Sequence, residues 1–212
     1  LAELEAKLYD TERYVRAAVS TALGPVYTTL VNQGKMPLAE LESKLTDHSP
    51  DVRVAALIAL GPAYAALINQ GETPDLFELG SKLTDPDFNV RDAAFTALGP
   101  VYAALVNQGK MSLAELESKL TDPDFNVRRA ASIALGLVYT GLVDQGKTPD
   151  LSKLESKLTD FFPDVCATAR IALGPVYAAL VNQSKMSLDE CVALINKKIL
   201  CDKDYEKYEL WE

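Results

Sequence analysis

Several residue types that carry chemistry are scarce in this sequence. Its 212 residues include one histidine, three cysteines and one tryptophan. The single histidine, His48, cannot build a histidine-rich metal centre and lies between two predicted helices, which is typical of a solvated turn residue. The cysteines, Cys166, Cys191 and Cys201, are odd in number and include no CxxC spacing. We therefore expect free thiols in a reducing, cytoplasmic compartment, with a Cys191–Cys201 bridge as the alternative.

Positive charge is also scarce, because 21 basic residues face 30 acidic ones and the net charge is −9. This balance argues against general nucleic-acid binding and against adhesion to anionic membranes. No uninterrupted apolar run reaches the roughly 18 residues of a membrane span. The acidic, amphipathic start is unlike a signal peptide, and the chain begins inside a repeat, as a fragment would. No phosphate-loop, dinucleotide or nucleophile-elbow motif occurs, so we expect no catalytic residues, no cofactor and no metal.

What the chain has in abundance is internal repetition. Gly24, Gly61, Gly99, Gly136 and Gly174 mark five copies that are 37, 38, 37 and 38 residues apart. The linkers before the third and fifth copies are one residue longer, so the larger unit is a pair of copies. We place the repeats at about 1–34, 35–71, 72–109, 110–146 and 147–184, followed by a C-terminal cap at 185–212, in one domain.

Each copy reads as a short helix followed by a long one. In the short helix, Leu113, Leu116 and Leu120 form one apolar stripe, and Ser112 with Glu115 forms a capping box that Ser187 and Glu190 repeat. In the longer linkers, Thr73 and Thr148 are predicted N-caps that precede a proline at the first helical position.

The long helix is predicted from about Asn89 to Gln108 in the third copy, with two apolar faces that contact neighbouring repeats. Gly99-Pro100 in its middle predicts a kink or a break. In four copies a glycine ends this helix, and Ser184 takes that place in the fifth. After Ser187 we expect a capping helix to about Leu200, with Tyr205, Tyr208 and Trp211 packing back on the last repeat.

The recurring pattern Asp, then Val-Arg six residues on, then Ala and Leu-Gly resembles the HEAT-like repeat, in the short form also found in phycobilisome-lyase-type proteins. The resemblance implies an all-α superhelical solenoid of five helix pairs with a capping helix. A break at the prolines makes an armadillo-like, three-helix repeat the variant description. The resemblance also implies a structural ladder of Asp and Arg along the stack, formed here by Asp10, Arg16, Asp47, Arg53, Asp85, Arg91, Asp122 and Arg128. The fifth copy departs from it, because Cys166 replaces the arginine and Arg170 lies one turn further on.

Positions that vary between copies on the long helices are candidates for partner contact, since stacking does not dictate them. These positions are Val54, Leu57, Ile58, Asp92, Phe95, Thr96, Arg129, Ser132, Ile133, Arg170 and Ile171. In a solenoid the second helices line the concave face, so the sequence predicts a non-catalytic scaffold that binds a protein or peptide there. The alternatives are a subunit of a HEAT-like enzyme or chromophore lyase, and a purely structural or designed repeat protein. The uncapped N-terminal end leaves room for homo-oligomers.

Overall fold

A computed structural model describes residues 1–199, which form an all-α solenoid of five helix pairs and one further helix. The five short helices, each continued by a 3₁₀ turn, are α1 (Ala2–Ala6), α3 (Leu38–Ser43), α5 (Phe77–Ser81), α7 (Leu113–Ser118) and α9 (Ser152–Glu155). The five long helices are α2 (Arg13–Asn32), α4 (Pro50–Asn69), α6 (Phe88–Asn107), α8 (Phe125–Asp144) and α10 (Pro163–Asn182). Each long helix packs against the long helix of the next repeat. A final helix, α11 (Leu188–Ile199), follows, and the predicted aromatic cap at Tyr205, Tyr208 and Trp211 lies outside the described residues.

The short helices begin where their capping residues predict in one linker type but not in the other. The Ser112 hydroxyl accepts from the Glu115 backbone N–H, and Ser187 and Glu190 form the complete capping box. The predicted N-cap at Thr73 is wrong, as is its counterpart at Thr148. There α5 and α9 begin at Phe77 and Ser152, and an aspartate two residues earlier accepts the N–H of each first residue. An aspartate makes this turn readily because its side chain mimics a backbone acceptor.

The long helices run without interruption through their prolines. Pro25, Pro62, Pro100 and Pro175 all lie inside helices of 20 residues. The predicted break is therefore wrong, and so is the three-helix, armadillo-like description. A proline removes only one helical hydrogen bond, and packing on both sides holds the remaining turns in place.

Contacts between long helices alternate along the stack. A Cβ added at Gly61 would lie 2.8 Å from the Ala97 backbone, and one at Gly136 would lie 2.6 Å from the Ala172 carbonyl. At Gly24 and Gly99 the nearest atoms instead belong to isoleucine side chains of the following helix, 2.2 and 2.4 Å away. The helix pairs α4/α6 and α8/α10 thus meet backbone to backbone, whereas isoleucines fill the other two contacts.

Lysine side chains hold the same pairs together at the helix ends. Lys110 donates to the carbonyl of Gly71 and the hydroxyl of Thr73, and Lys185 donates to the carbonyls of Gly146 and Lys147. Both lysines bond to a linker of the longer type, the one that leads into α5 or α9. Repeats two and three form one structural pair and repeats four and five form another, which matches the alternation of linker length in the sequence.

The first repeat exposes a face that stacking buries in the others. Leu4 is 44% exposed, whereas its counterparts Leu41, Leu79, Leu116 and Leu154 are fully buried. Val26 is 38% exposed, and its counterpart Val101 is fully buried. These positions carry stacking residues wherever a repeat precedes them.

Helices α4 and α10 are long and apolar enough to cross a membrane by length and composition alone. Inside the solenoid, 56% and 50% of their most apolar windows are buried against other helices. A helix packed between two neighbours needs apolar residues on two sides, which accounts for this composition.

Candidate binding groove

The arginine ladder is present, but its partners differ from the prediction. Within a repeat, each ladder arginine donates to the backbone carbonyl of its aspartate, as Arg53 does to the Asp47 carbonyl at 2.7 Å. The carboxylate contacts run between repeats instead. Arg53 pairs with Asp85 of the next repeat at 3.0 Å, and Arg128 pairs with Asp160 at 3.1 Å. These two rungs therefore tie the second repeat to the third and the fourth to the fifth.

Two rungs depart from this arrangement. Arg16 pairs with Asp51 rather than with Asp47. Arg91 donates to the carbonyls of Asp85 and Pro86, and within the described residues it has no carboxylate within ion-pair distance. The Asp85 carboxylate is paired instead with Arg53 of the preceding repeat.

In the fifth repeat, Cys166 occupies the arginine position and makes its local contact. The buried thiol donates to the Asp160 carbonyl at 3.1 Å, the bond that the guanidinium makes in the other copies. An arginine here would need an aspartate in a following repeat. At the matching position of the last segment the sequence has Lys197, so the substitution fits the end of the ladder.

A second set of contacts joins each short helix to its long helix. The hydroxyls of four tyrosines donate to a glutamate 22 residues earlier, as in Tyr64–Glu42 at 2.7 Å. Lys44 and Lys153, from the following repeats, add ion pairs to Glu5 and Glu117. In the third repeat, the glutamate position is Gly80 and Tyr102 is only partly buried.

An open groove of about 450 Å³ lies across α2, α4 and α6. Its apolar lining comes from Val54, Ile58, Pro62, Ala97 and Pro100. Its polar lining comes from Arg13, Ser20, Thr21, Asp51, Asn89, Asp92 and Thr96, and Ala17 and Ala93 complete it. The groove lies on the predicted helices and includes Val54, Ile58, Asp92 and Thr96 from the variable positions.

Four of the predicted contact positions are buried, so the prediction that they contact a partner is wrong. Leu57 and Ser132 have no exposed surface, and Phe95 and Arg129 are 5% and 8% exposed. Leu57, Phe95 and Ser132 lie one position before the row of Ile58, Thr96 and Ile133, which turns a side chain by 100° on a helix. Arg129 occupies the repeat position of Asp92 but is covered by its contacts with Phe95 and Thr168. Ile133, Arg170 and Ile171 lie in repeats four and five, outside the groove lining.

Arg129 joins three repeats rather than meeting solvent. Its guanidinium lies 3.5 Å from the centre of the Phe95 ring, donates to Asp92 at 2.9 Å and donates to the Thr168 hydroxyl at 3.3 Å. One of its terminal nitrogens, Nη1, is buried without a hydrogen-bond partner. This cluster fixes Asp92 at the edge of the groove, where its side chain remains 45% exposed.

The prolines are among the groove residues that the variable-position argument missed, together with Arg13, Asp51 and Asn89. Because Pro62 and Pro100 hardly vary between copies, a search for variable positions passes over them. The signal that could have found them is the Gly-Pro period itself, since only the fourth copy lacks it and has Leu137 there.

The described residues hold no cluster of three or more His, Cys, Asp or Glu that could bind a metal ion. His48 is exposed in its turn, 3.4 Å from the Asp47 carboxylate and stacked on Tyr9. The lining of the groove offers a ligand apolar surface and hydrogen-bonding atoms.

Comparison with known proteins finds a repeat family that matches part of the chain. Residues 76–174 match the family model of HEAT repeats. No curated protein is significantly similar to the chain. One crystal structure of an engineered protein is 23% identical, with a TM-score of 0.44, covering 84% of this chain and 81% of that chain. A second engineered protein is 20% identical, with a TM-score of 0.44 and coverage of 94% and 93%.

Proposed function

The chain is a HEAT-like repeat protein, and on that premise we propose that it is a non-catalytic scaffold that binds a protein segment in the groove across α2, α4 and α6. The observation that carries the proposal is the groove itself, an open channel of about 450 Å³ lined by both apolar and polar side chains. Its volume falls within the range of about 300–1,000 Å³ that is usual for ligand pockets.

The groove has the form of an elongated site rather than of a reaction chamber. It crosses three parallel helices, whose axes lie about 8–10 Å apart in packed helix pairs. A channel of this kind spans about 20 Å, the length of roughly six extended residues. A peptide segment fits this shape better than a compact small molecule does.

Variation between the copies supports the same conclusion. The groove row reads Thr21, Ile58 and Thr96 in successive repeats, although the stacking residues around it are nearly constant. Thr21 and Thr96 are exposed, and their hydroxyls bond to carbonyls of their own helices. Stacking does not require these residues, so their identities can be set by the ligand that the groove binds.

The test is peptide selection with a blocked groove as the comparison. Peptides selected from a displayed random library on the purified protein are expected to bind at least about tenfold more weakly to Thr96→Arg, which fills the groove with a large side chain. A tenfold change corresponds to about 1.4 kcal/mol. Ile171→Arg is the matched control, because Ile171 occupies the same repeat position, is 74% exposed and lies outside the groove.

Circular dichroism verifies that both variants keep their helices. Selected peptides that bind wild type and Thr96→Arg equally well would place the binding site elsewhere. A selection that yields no binder would leave a repeat scaffold without a groove ligand, and either result overturns the proposal.

A further inference from the structure

The prolines of the long helices give the groove an unusual chemical character. Proline has no backbone N–H, so the carbonyl four residues earlier loses its helical donor. For Pro25, Pro62 and Pro100 these carbonyls belong to Thr21, Ile58 and Thr96. All three residues line the groove, one in each of its three helices.

The hydroxyls of the groove present acceptors as well. Ser20 and Thr21 both donate to the Ala17 carbonyl, at 2.9 and 3.0 Å, and Thr96 donates to the Asp92 carbonyl at 2.9 Å. Each hydroxyl has one hydrogen to give. Thr21 and Thr96 are exposed, and with that hydrogen committed to their own helices, their oxygens can offer only lone pairs to a ligand.

The carboxylates add further acceptor oxygens to this set. Asp51 and Asp92 each use one oxygen to pair with an arginine from outside the groove, Arg16 and Arg129. Arg13, at the first-repeat end, is the only cation in the groove lining. The chain as a whole carries a net charge of −9, which attracts cations over longer distances.

From this row of acceptors we infer that the groove recognises a donor-rich ligand, an extended peptide segment of a protein partner that carries Lys or Arg side chains. This inference rests on the proposed function and names the chemistry of its ligand. Backbone N–H groups of the peptide bond to the three carbonyls, and its cationic side chains lie near Asp51 and Asp92. Phosphate and carboxylate ligands are acceptors themselves, so they do not match this lining.

The row of carbonyls that lack a helical donor ends before the fourth repeat. Leu137 replaces proline there and has an N–H for the Ile133 carbonyl, four residues earlier in α8. Pro175 frees the Ile171 carbonyl in α10, but Ile171 does not line the groove. The chain therefore supplies its own matched control, a proline with the same local effect outside the site.

The experiment compares two labelled peptides of about eight residues, one alternating Lys with Val and one alternating Glu with Val, by fluorescence anisotropy. The basic peptide is expected to bind wild type at least tenfold more tightly than the acidic one. Pro62→Ala with Pro100→Ala returns two helical N–H groups, adds no bulk and should weaken the basic peptide about tenfold, since two hydrogen bonds are lost. Pro175→Ala should change its affinity less than twofold.

A backbone N-methylated basic peptide separates donor loss from packing loss. It should bind wild type about tenfold more weakly than the unmodified peptide, and the double variant should weaken it little further. Because alanine favours helix more than proline does, the double variant remains folded, and thermal melts verify this.

Two results would overturn the inference. One is equal binding of acidic and basic peptides, and the other is an affinity for the basic peptide that the double variant leaves unchanged. If Thr96→Arg still abolishes binding in either case, the groove remains the binding site and only the ligand chemistry is wrong. If neither these peptides nor the selected ones respond to Thr96→Arg, the proposed function fails as well.

Discussion

At the scale of single residues, Gly80 interrupts a series of tyrosine–glutamate contacts. Four repeats join a tyrosine hydroxyl to a glutamate 22 residues earlier, and the third has Gly80 opposite Tyr102. A Cβ at Gly80 would meet no atom within 4 Å, so a larger side chain fits.

Gly80→Glu is expected to stabilise the protein by about 1–2 kcal/mol. Glutamate removes the helical penalty of glycine and gives the Tyr102 hydroxyl an acceptor. Lys119, which lies 5.4 Å from the centre of the Tyr102 ring, can pair with it as Lys44 does with Glu5. Urea unfolding measures the change, with Gly80→Ala as the control for helix propensity alone. Equal gains for the two variants would show that the tyrosine contact contributes nothing.

The ladder makes a second prediction at this scale. Arg53→Ala should destabilise the protein by about 2–3 kcal/mol, because it leaves Asp85, whose side chain is 7% exposed, without its ion pair. Arg91→Ala should cost about 1 kcal/mol, because it removes only bonds to carbonyls. Denaturant melts of the two variants compare these effects, and a larger loss for Arg91→Ala would contradict the ladder as observed.

The ladder also shows how far residue patterns alone can lead. The identity of its members follows from the repeat, since a buried arginine needs acceptors. Its carboxylate partners do not follow, because spacing along the chain does not tell which neighbouring repeat a long side chain reaches. The exposure of Leu57 and Phe95 was mispredicted for the same reason. Neighbouring residues on a helix point in directions that differ by 100°, so one side chain can face the groove while the next faces the adjacent helix. The way the helices pack decides which residue faces which side.

At the scale of helices, the sequence predicted the long helices to within one residue in the third repeat but mispredicted their prolines. Local propensity favours a break at Gly-Pro, whereas the helix continues because it packs on both sides. The groove depends on this outcome, because only an unbroken helix holds the carbonyl of Thr96 beside Pro100 in a fixed place. Local sequence rules could not supply that tertiary constraint.

The alternating contacts between long helices can be tested with two glycines. Gly136→Ala should destabilise the protein by about 1–3 kcal/mol, since its Cβ would lie 2.6 Å from the Ala172 carbonyl and force the helices apart. Gly174→Ala, at the same repeat position, would meet no atom within 4 Å apart from its chain neighbours. It should cost at most about 1 kcal/mol, because the added Cβ crowds only Pro175 and the loss of glycine offsets part of that strain. Thermal melts compare the two losses, and equal losses would argue against the close α8/α10 contact.

At the scale of the whole molecule, the tyrosine contacts set an alkaline limit to stability. Burial and the hydrogen bond to Glu42 raise the pKa of Tyr64 above its ordinary value of 10.0. The same causes, burial first, raise the pKa of Tyr27, Tyr139 and Tyr177. A raised pKa means that the folded state holds the proton more tightly than the unfolded chain does.

The free energy of unfolding should therefore be unaffected by these groups below about pH 10 and should fall as the pH rises further. Thermal melts from about pH 9 to about pH 11.5, followed by helix signal and by phenolate absorbance, measure the fall. Tyr64→Phe should reduce the slope because one of the four groups is gone. A stability that does not change across this range would contradict the prediction.

The pairing of repeats has a mechanical consequence. If the molecule is pulled from its two ends, the isoleucine-filled contacts should part before the backbone-to-backbone contacts, which lysines also hold. Extension should then proceed in steps of two repeats, 75 residues from Gly61 to Gly136, each releasing about 250 Å of chain. Optical tweezers resolve such steps, and regular steps of half that length would show that every repeat yields alone. The smallest unit that unfolds under force would then be two repeats long.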